Sequence, residues 1–185
     1  MALRALRLLR DASVSSCNGF LIEILTNQPD IAENLTGPIV ALDLGQKRVG
    51  VATSDSMLIS ITKLPPLTRS NWKRLLLDVG ELVRDLDAST LVIGLPLNMD
   101  GSRGSAAIEA EYTAGKFARS LKIPVYLQDE RLSSMEAEEQ LRAAGKTTPE
   151  VRAMVDCQAA AIILMDFIAG GQSRVRVSIS HRSEE

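Results

Sequence analysis

The sequence predicts a single α/β domain built on a mixed five-stranded sheet flanked by helices. Three observations carry this. Three short apolar runs follow one another after Pro38, helical and strand patterns then alternate, and two well-signposted helices close the domain. A chain of 185 residues, 45% of them apolar, can bury one substantial core.

Ile39 to Leu44 and Val49 to Ser54 are two apolar strands joined through Gly45-Gln46-Lys47-Arg48, the pattern of a tight antiparallel hairpin. Ile59 to Leu67 continues the meander, and Pro65-Pro66 confine it to an edge because proline brings no N–H to a ladder. Trp72, Leu75, Leu76, Val79, Leu82, Val83 and Leu86 recur at helical spacing and give one apolar face to cover the sheet. Leu91 to Leu95 is a continuous apolar run, as expected of a strand buried on both faces. A second helical period runs from Ala107 to Leu121, and Pro124 to Gln128 returns to strand. The capping box Ser133-Ser134-Met135-Glu136 opens a helix that Gly145 closes. Thr148-Pro149 opens another, which carries Val151, Val155, Ala159, Ile162 and Ile163 and stops near Gly170-Gly171.

Residues 1–36 read as an N-terminal extension, 37–171 as the domain and 172–185 as a polar, mobile tail. Arg4, Arg7 and Arg10 among leucines are faintly like a transit peptide, although an upstream start or a short surface helix explains them as well. No apolar run is long enough to span a bilayer. The two cysteines, Cys17 and Cys157, lie far apart and fit a reducing, cytoplasmic home. A net charge of −2 lacks the basic excess common in nucleic-acid binders, but carboxylates clustered in a metal site also lower net charge.

Three acids are candidates for chemistry. Asp43 interrupts the apolar run Val40 to Leu44, where a lone carboxylate would be costly unless paired, hydrogen-bonded or metal-bound; it would equally serve to cap the turn at Gly45. Glu130 follows a strand, at the end where open α/β sheets bind ligands, though an acidic surface loop with a Glu130–Arg131 contact is common too. Asp156 precedes the small residues Ala159, Ala160 and Ala161, which let a helix approach a sheet closely; on the solvated side it would pair with Arg152. Converging at one sheet edge, the three would suit Mg2+ or Mn2+ and phosphodiester hydrolysis. The single histidine, His181, lies in the tail, which disfavours zinc and histidine-based triads.

Asp43-Leu44-Gly45-Gln46-Lys47-Arg48-Val49-Gly50-Val51-Ala52, Gly94-Leu95-Pro96-Leu97-Asn98-Met99-Asp100-Gly101, Asp129-Glu130-Arg131-Leu132-Ser133 and Val155-Asp156 with its following alanines resemble the four signature blocks of the YqgF family. The resemblance runs from about Pro38 to Ile168. It implies an RNase H-like fold, trimming of the 5′ end of the 16S rRNA precursor, and Asp43, Glu130 and Asp156 as metal-binding catalytic acids. Lys47 and Arg48 on the hairpin turn, Asn98 in the second block and Arg131 beside Glu130 are the expected substrate contacts; each is also explicable as an ordinary turn or loop residue. Arg103, Lys116, Lys146 and Arg152 could extend a phosphate-binding face.

Two other readings compete. Cleavage of branched DNA would need a twofold dimer to cut two strands, and monomer and homodimer both remain open. A non-catalytic module that binds nucleic acid or the transcription apparatus would keep the acids as structure. Asp43-Leu44-Gly45 with Gly50 also resembles the first phosphate loop of actin-like ATPases and sugar kinases, but the chain lacks the second such block and the later adenosine loop.

Overall fold

A computed structural model describes residues 13–17, 20–26, 35–130, 149–170 and 174–180, with side chains for 35–130, 157–170 and 174–177. In chain order the strands are β1 (Ser13–Cys17), β2 (Phe20–Thr26), β3 (Ile39–Leu44), β4 (Arg48–Ser54), β5 (Ile61–Thr68), β6 (Thr90–Leu95), β7 (Val125–Asp129) and β8 (Arg174–Ser180). The helices are α1 (Trp72–Asp85), α2 (Ser105–Ser120) and α3 (Pro149–Ile168).

One sheet of order β1-β2-β8-β7-β6-β3-β4-β5 holds all eight strands. The five expected strands form the contiguous run β7-β6-β3-β4-β5. Within it β3, β4 and β5 form an antiparallel meander, while β6 pairs parallel with both β3 and β7. The other three strands lie where an extension and a tail were expected. β8 pairs antiparallel with β7 and with β2, and β2 pairs with β1, so part of 172–185 is built into the sheet and is no free tail. The reason is a period of two: Val175, Val177 and Ile179 alternate with Arg174, Arg176, Ser178 and Ser180. The paired residues Cys17 and Phe20 bracket Asn18-Gly19, the two-residue sequence typical of a hairpin. The expected helix from Ser133 to Gly145 lies outside the described residues.

The sheet separates two cores. On one face Val40, Leu42, Leu91, Ile93, Val125 and Leu127 pack against Leu75, Val79 and Val83 of α1 and Ala107, Ala110, Ala114 and Phe117 of α2. α1 begins cleanly because the Asn71 side chain accepts from the backbone N–H of Arg74 at 3.0 Å. On the other face Ile39, Ala41, Ala52, Val92 and Tyr126 pack against Ala160, Ala161, Ile163, Leu164 and Phe167 of α3. Alternation along each strand fixes which residue meets which helix. Ala41 and Val92 face α3, so Asp43 and Gly94, two residues further along β3 and β6, come to that same face at the carboxyl ends of their strands. Tyr126 and Gln128 do likewise along β7, which ends one residue before Glu130.

β5 is the outermost strand of its side, as Pro65 and Pro66 require. Its register with β4 passes from Val49–Leu67 to Val51–Leu64, so the two prolines stand opposite the single residue Gly50. Two residues against one is a bulge, and Gly50 is itself the partner of Asp43.

Candidate active site

The cleft that holds the expected acids opens at the carboxyl ends of β3, β6 and β7, about 320 Å³ in volume. Asp43, Gly45 and Gln46 of the hairpin, Gly94 and Pro96 after β6, Glu130 after β7, and Arg69 and Glu109 line it. β6 lies between β3 and β7, so carboxylates from the two outer strands can meet only across the surface of β6.

Gly94 makes that possible. A β-carbon at Gly94 would stand 1.4 Å from Oε1 of Glu130 and 2.4 Å from its carboxyl carbon, and 2.8 Å from Cδ1 of Ile163. The Glu130 side chain therefore lies directly on the backbone of β6, in the space that any other residue would fill. Its own N–H donates to the carbonyl of Leu95 at 3.2 Å, which ties the residue after β7 to the end of β6. Glu130 is only 8% exposed. Burial pushes its carboxyl up to about 8, and the carboxylates of Asp43 and then Asp129 push the same way.

Arg69 forms the opposite wall. Its Nη1 donates to the carbonyl of Gly45 at 2.9 Å and at the edge of bonding range to Leu44 at 3.5 Å, while Nη2 meets Glu109 of α2 at 2.6 Å. Its backbone N–H donates to the carbonyl of Lys47 at 3.0 Å. One side chain thus braces the turn after Asp43 against α2. Gly45 is required at that turn, since a β-carbon there would lie 2.7 Å from the carbonyl oxygen of Arg48.

The expected residues divide accordingly. Asp43 and Glu130 line one cleft. Asp156 lies on α3, the helix that covers this face, with its side chain outside the described residues. Among the described residues no group of three metal-ligating side chains converges. Lys47 is exposed on the turn and Arg48 opens β4, and neither lines the cleft. Asn98 instead closes its own loop: its Nδ2 donates to Oγ of Ser102 at 2.8 Å and its N–H to the Ser102 carbonyl at 2.9 Å. Arg131 and Lys146 lie outside the described residues. Arg103 meets the buried Glu111, Nε to Oε1 at 3.0 Å, although that oxygen gains no well-aligned hydrogen bond. Sequence reasoning missed Arg69 and Glu109, which sit outside every block and follow no apolar period.

The model of the RuvX family, described as Holliday junction resolvase, matches residues 37–170. This chain belongs to the RuvX family. A protein of Anaeromyxobacter sp. (strain Fw109-5) named "Putative pre-16S rRNA nuclease" is 40% identical over 131 residues, 71% of this chain and 96% of its own length. One of the same name from Gloeothece citriformis (strain PCC 7424) is 40% identical over 129 residues, 70% of this chain and 85% of its own. Among solved structures, T. thermophilus RuvC in complex with a Holliday junction substrate aligns with a TM-score of 0.49 at 15% identity, covering 74% of this chain and 98% of that one. The family expected from the four sequence blocks is thus borne out. No helix among the described residues is long and apolar enough to cross a membrane.

Proposed function

We propose that this RuvX-family protein is a divalent-metal-dependent endonuclease that trims the 5′ end of precursor 16S rRNA in the cytoplasm, with residues 37–171 as its catalytic unit. The observation that carries this reading is the Glu130 carboxylate laid over Gly94 in the cleft of Asp43. A buried acid beside a second acid has a high affinity for protons, and equally for a hard cation that would neutralise both.

The donor set fits such a cation. Asp43 and Glu130 offer carboxylate oxygens, the ligands that Mg2+ and Mn2+ prefer, and Asp156 is the third ligand of the reading. Asp156 stands seven residues, two helical turns, before Ile163, which reaches Gly94. A bound Mg2+ or Mn2+ supplies charge neutralisation at the scissile phosphate and lowers the pKa of water. The chain's own part is placement. Gly94 leaves room for Glu130, the Leu95 carbonyl fixes the Glu130 backbone, and Arg69 holds the turn that follows Asp43. Lys47, Arg48 and Arg131 are the proposed contacts with the phosphate backbone, while Asn98 acts by shaping its loop.

The family description favours branched DNA as the second substrate to test. The experiment is cleavage of a precursor 16S rRNA fragment and of a four-way DNA junction, by wild type and Asp43→Asn, with manganese or chelator. Metal-dependent cutting of the RNA, lost in Asp43→Asn, is the expected result. Cutting of the junction alone reassigns the substrate, and a folded protein that cuts neither is a binding module.

A further inference from the structure

Arg69 and Glu109 belong to two cavities. On their far side from Asp43 a second hollow of about 220 Å³ opens between the start of α1 and the exposed flank of α2. Trp72, Tyr112 and Lys116 form its distinctive wall. Lys116 Nζ stands 3.8 Å from the centre of the Trp72 ring and 5.2 Å from that of Tyr112. The Trp72 ring is itself held edge-on by the buried Phe117, with centroids 4.9 Å apart. Among the described residues no carboxylate lies within ion-pair distance of Lys116. The only acid of the lining, Glu109, is engaged by Arg69. The hollow therefore carries a cation whose charge is not cancelled, set against two aromatic rings, with room for a nucleobase.

We propose that this hollow is a nucleotide subsite, holding the base of a flanking nucleotide of the substrate strand beside Tyr112 and Trp72 and its phosphate at Lys116. The occupant follows from the chemistry. The Tyr112 ring can stack on any base, and Lys116, lifting off the Trp72 face, takes the adjoining phosphate, the combination that tracks single strands without reading sequence. The path follows from continuity: a strand cut beside Asp43 and Glu130 has only the Arg69–Glu109 pair to cross before it reaches Lys116. Burial, and then Arg119, lower the pKa of Lys116, in keeping with a cation that lacks a counter-charge. The inference rests on the nuclease reading for the identity of the strand, but not on any bound metal.

Trp72 is the only tryptophan of the chain, so the subsite contains its own reporter. Fluorescein-labelled single-stranded hexanucleotides, one of RNA and one of DNA, are titrated in chelator into the full chain, reading anisotropy for affinity, with the unlabelled strands used for Trp72 emission. Saturable binding with a change in Trp72 emission is expected. Lys116→Ala and Tyr112→Ala each weaken affinity about five- to tenfold, Lys116→Ala lowers the salt slope by about one, and Lys116→Arg restores both. The preferred sugar shows which strand is held. Binding without a change in Trp72 emission, equal affinity across the variants, or no binding overturns the subsite. Asp43→Asn separates the two readings: it retains the emission change whether or not cleavage depends on that carboxylate.

Discussion

Glu130 shows what a missing side chain can do for a site. Nothing but hydrogen at Gly94 leaves the carboxylate a place on β6, so Gly94→Ala must swing it away. Metal-dependent cleavage should fall on the order of 100-fold, the usual cost of misplacing a reacting group by an ångström or so, while thermal melting confirms an intact fold. The same burial makes a pH prediction. Glu130 titrates near 8 when folded and near its ordinary 4.5 when unfolded, so between these values the native state holds a proton that the unfolded chain has released. Stability without metal must therefore fall as pH rises from about 4.5 through 8, by roughly 3–5 kcal/mol in full. Glu130→Gln removes that loss. Urea unfolding in chelator should show the variant more stable at pH 9 and equal to wild type at pH 4; a constant difference at both would refute the assignment. Asp43 was legible in the sequence as an acid in an apolar run, and Glu130 by its place at the end of a strand. Arg69 was not, because a residue that braces carbonyls across the fold leaves no local period.

At the level of elements, hydrophobic period and punctuation located most of the architecture. β3, β4, β6 and β7 emerge as short apolar runs, α1, α2 and the span of α3 from a period of 3.6, and the ends of β5 differ by one or two residues from those expected. β8 was hidden by composition: two arginines and two serines made Arg174–Ser180 look like a solvated tail, although the alternation was present. The cap of α1 is a direct test of local coding. Asn71→Ala deprives the Arg74 N–H of its acceptor, at a cost of about 1 kcal/mol, which for a chain of this size lowers Tm by roughly 2–4 °C in calorimetry.

For the molecule as a whole, the parallel pairing of β6 with both neighbours gathers carboxylates that are 87 positions apart in the chain, from 43 to 130, at one end of the sheet. No local pattern contains that proximity; it follows from topology, which the succession of strands and helices predicted. Once both are ionised such a pair repels itself, and a bound cation would relieve the repulsion. Magnesium at about 100 times its Kd should raise unfolding free energy by about 2.7 kcal/mol, read in a melting curve at pH 8. Asp43→Asn should abolish the increment and, in chelator, melt higher than wild type; an increment that persists in the variant would place the metal elsewhere.

The paired prolines of β5 also bear on how these molecules behave in a crowd. An outer strand ordinarily offers a row of N–H and C=O groups on which a neighbour's chain can build, and seeding of this kind turns folded proteins into precipitates. Pro65 and Pro66 carry no N–H, which thins the donors at this edge, and the bulge opposite Gly50 breaks its spacing. Restoring the donors with Pro65→Thr and Pro66→Val should leave catalysis intact yet make light scattering climb with protein concentration. The irregularity that lies two strands away from Asp43 thus also makes this edge a poor template for a second chain.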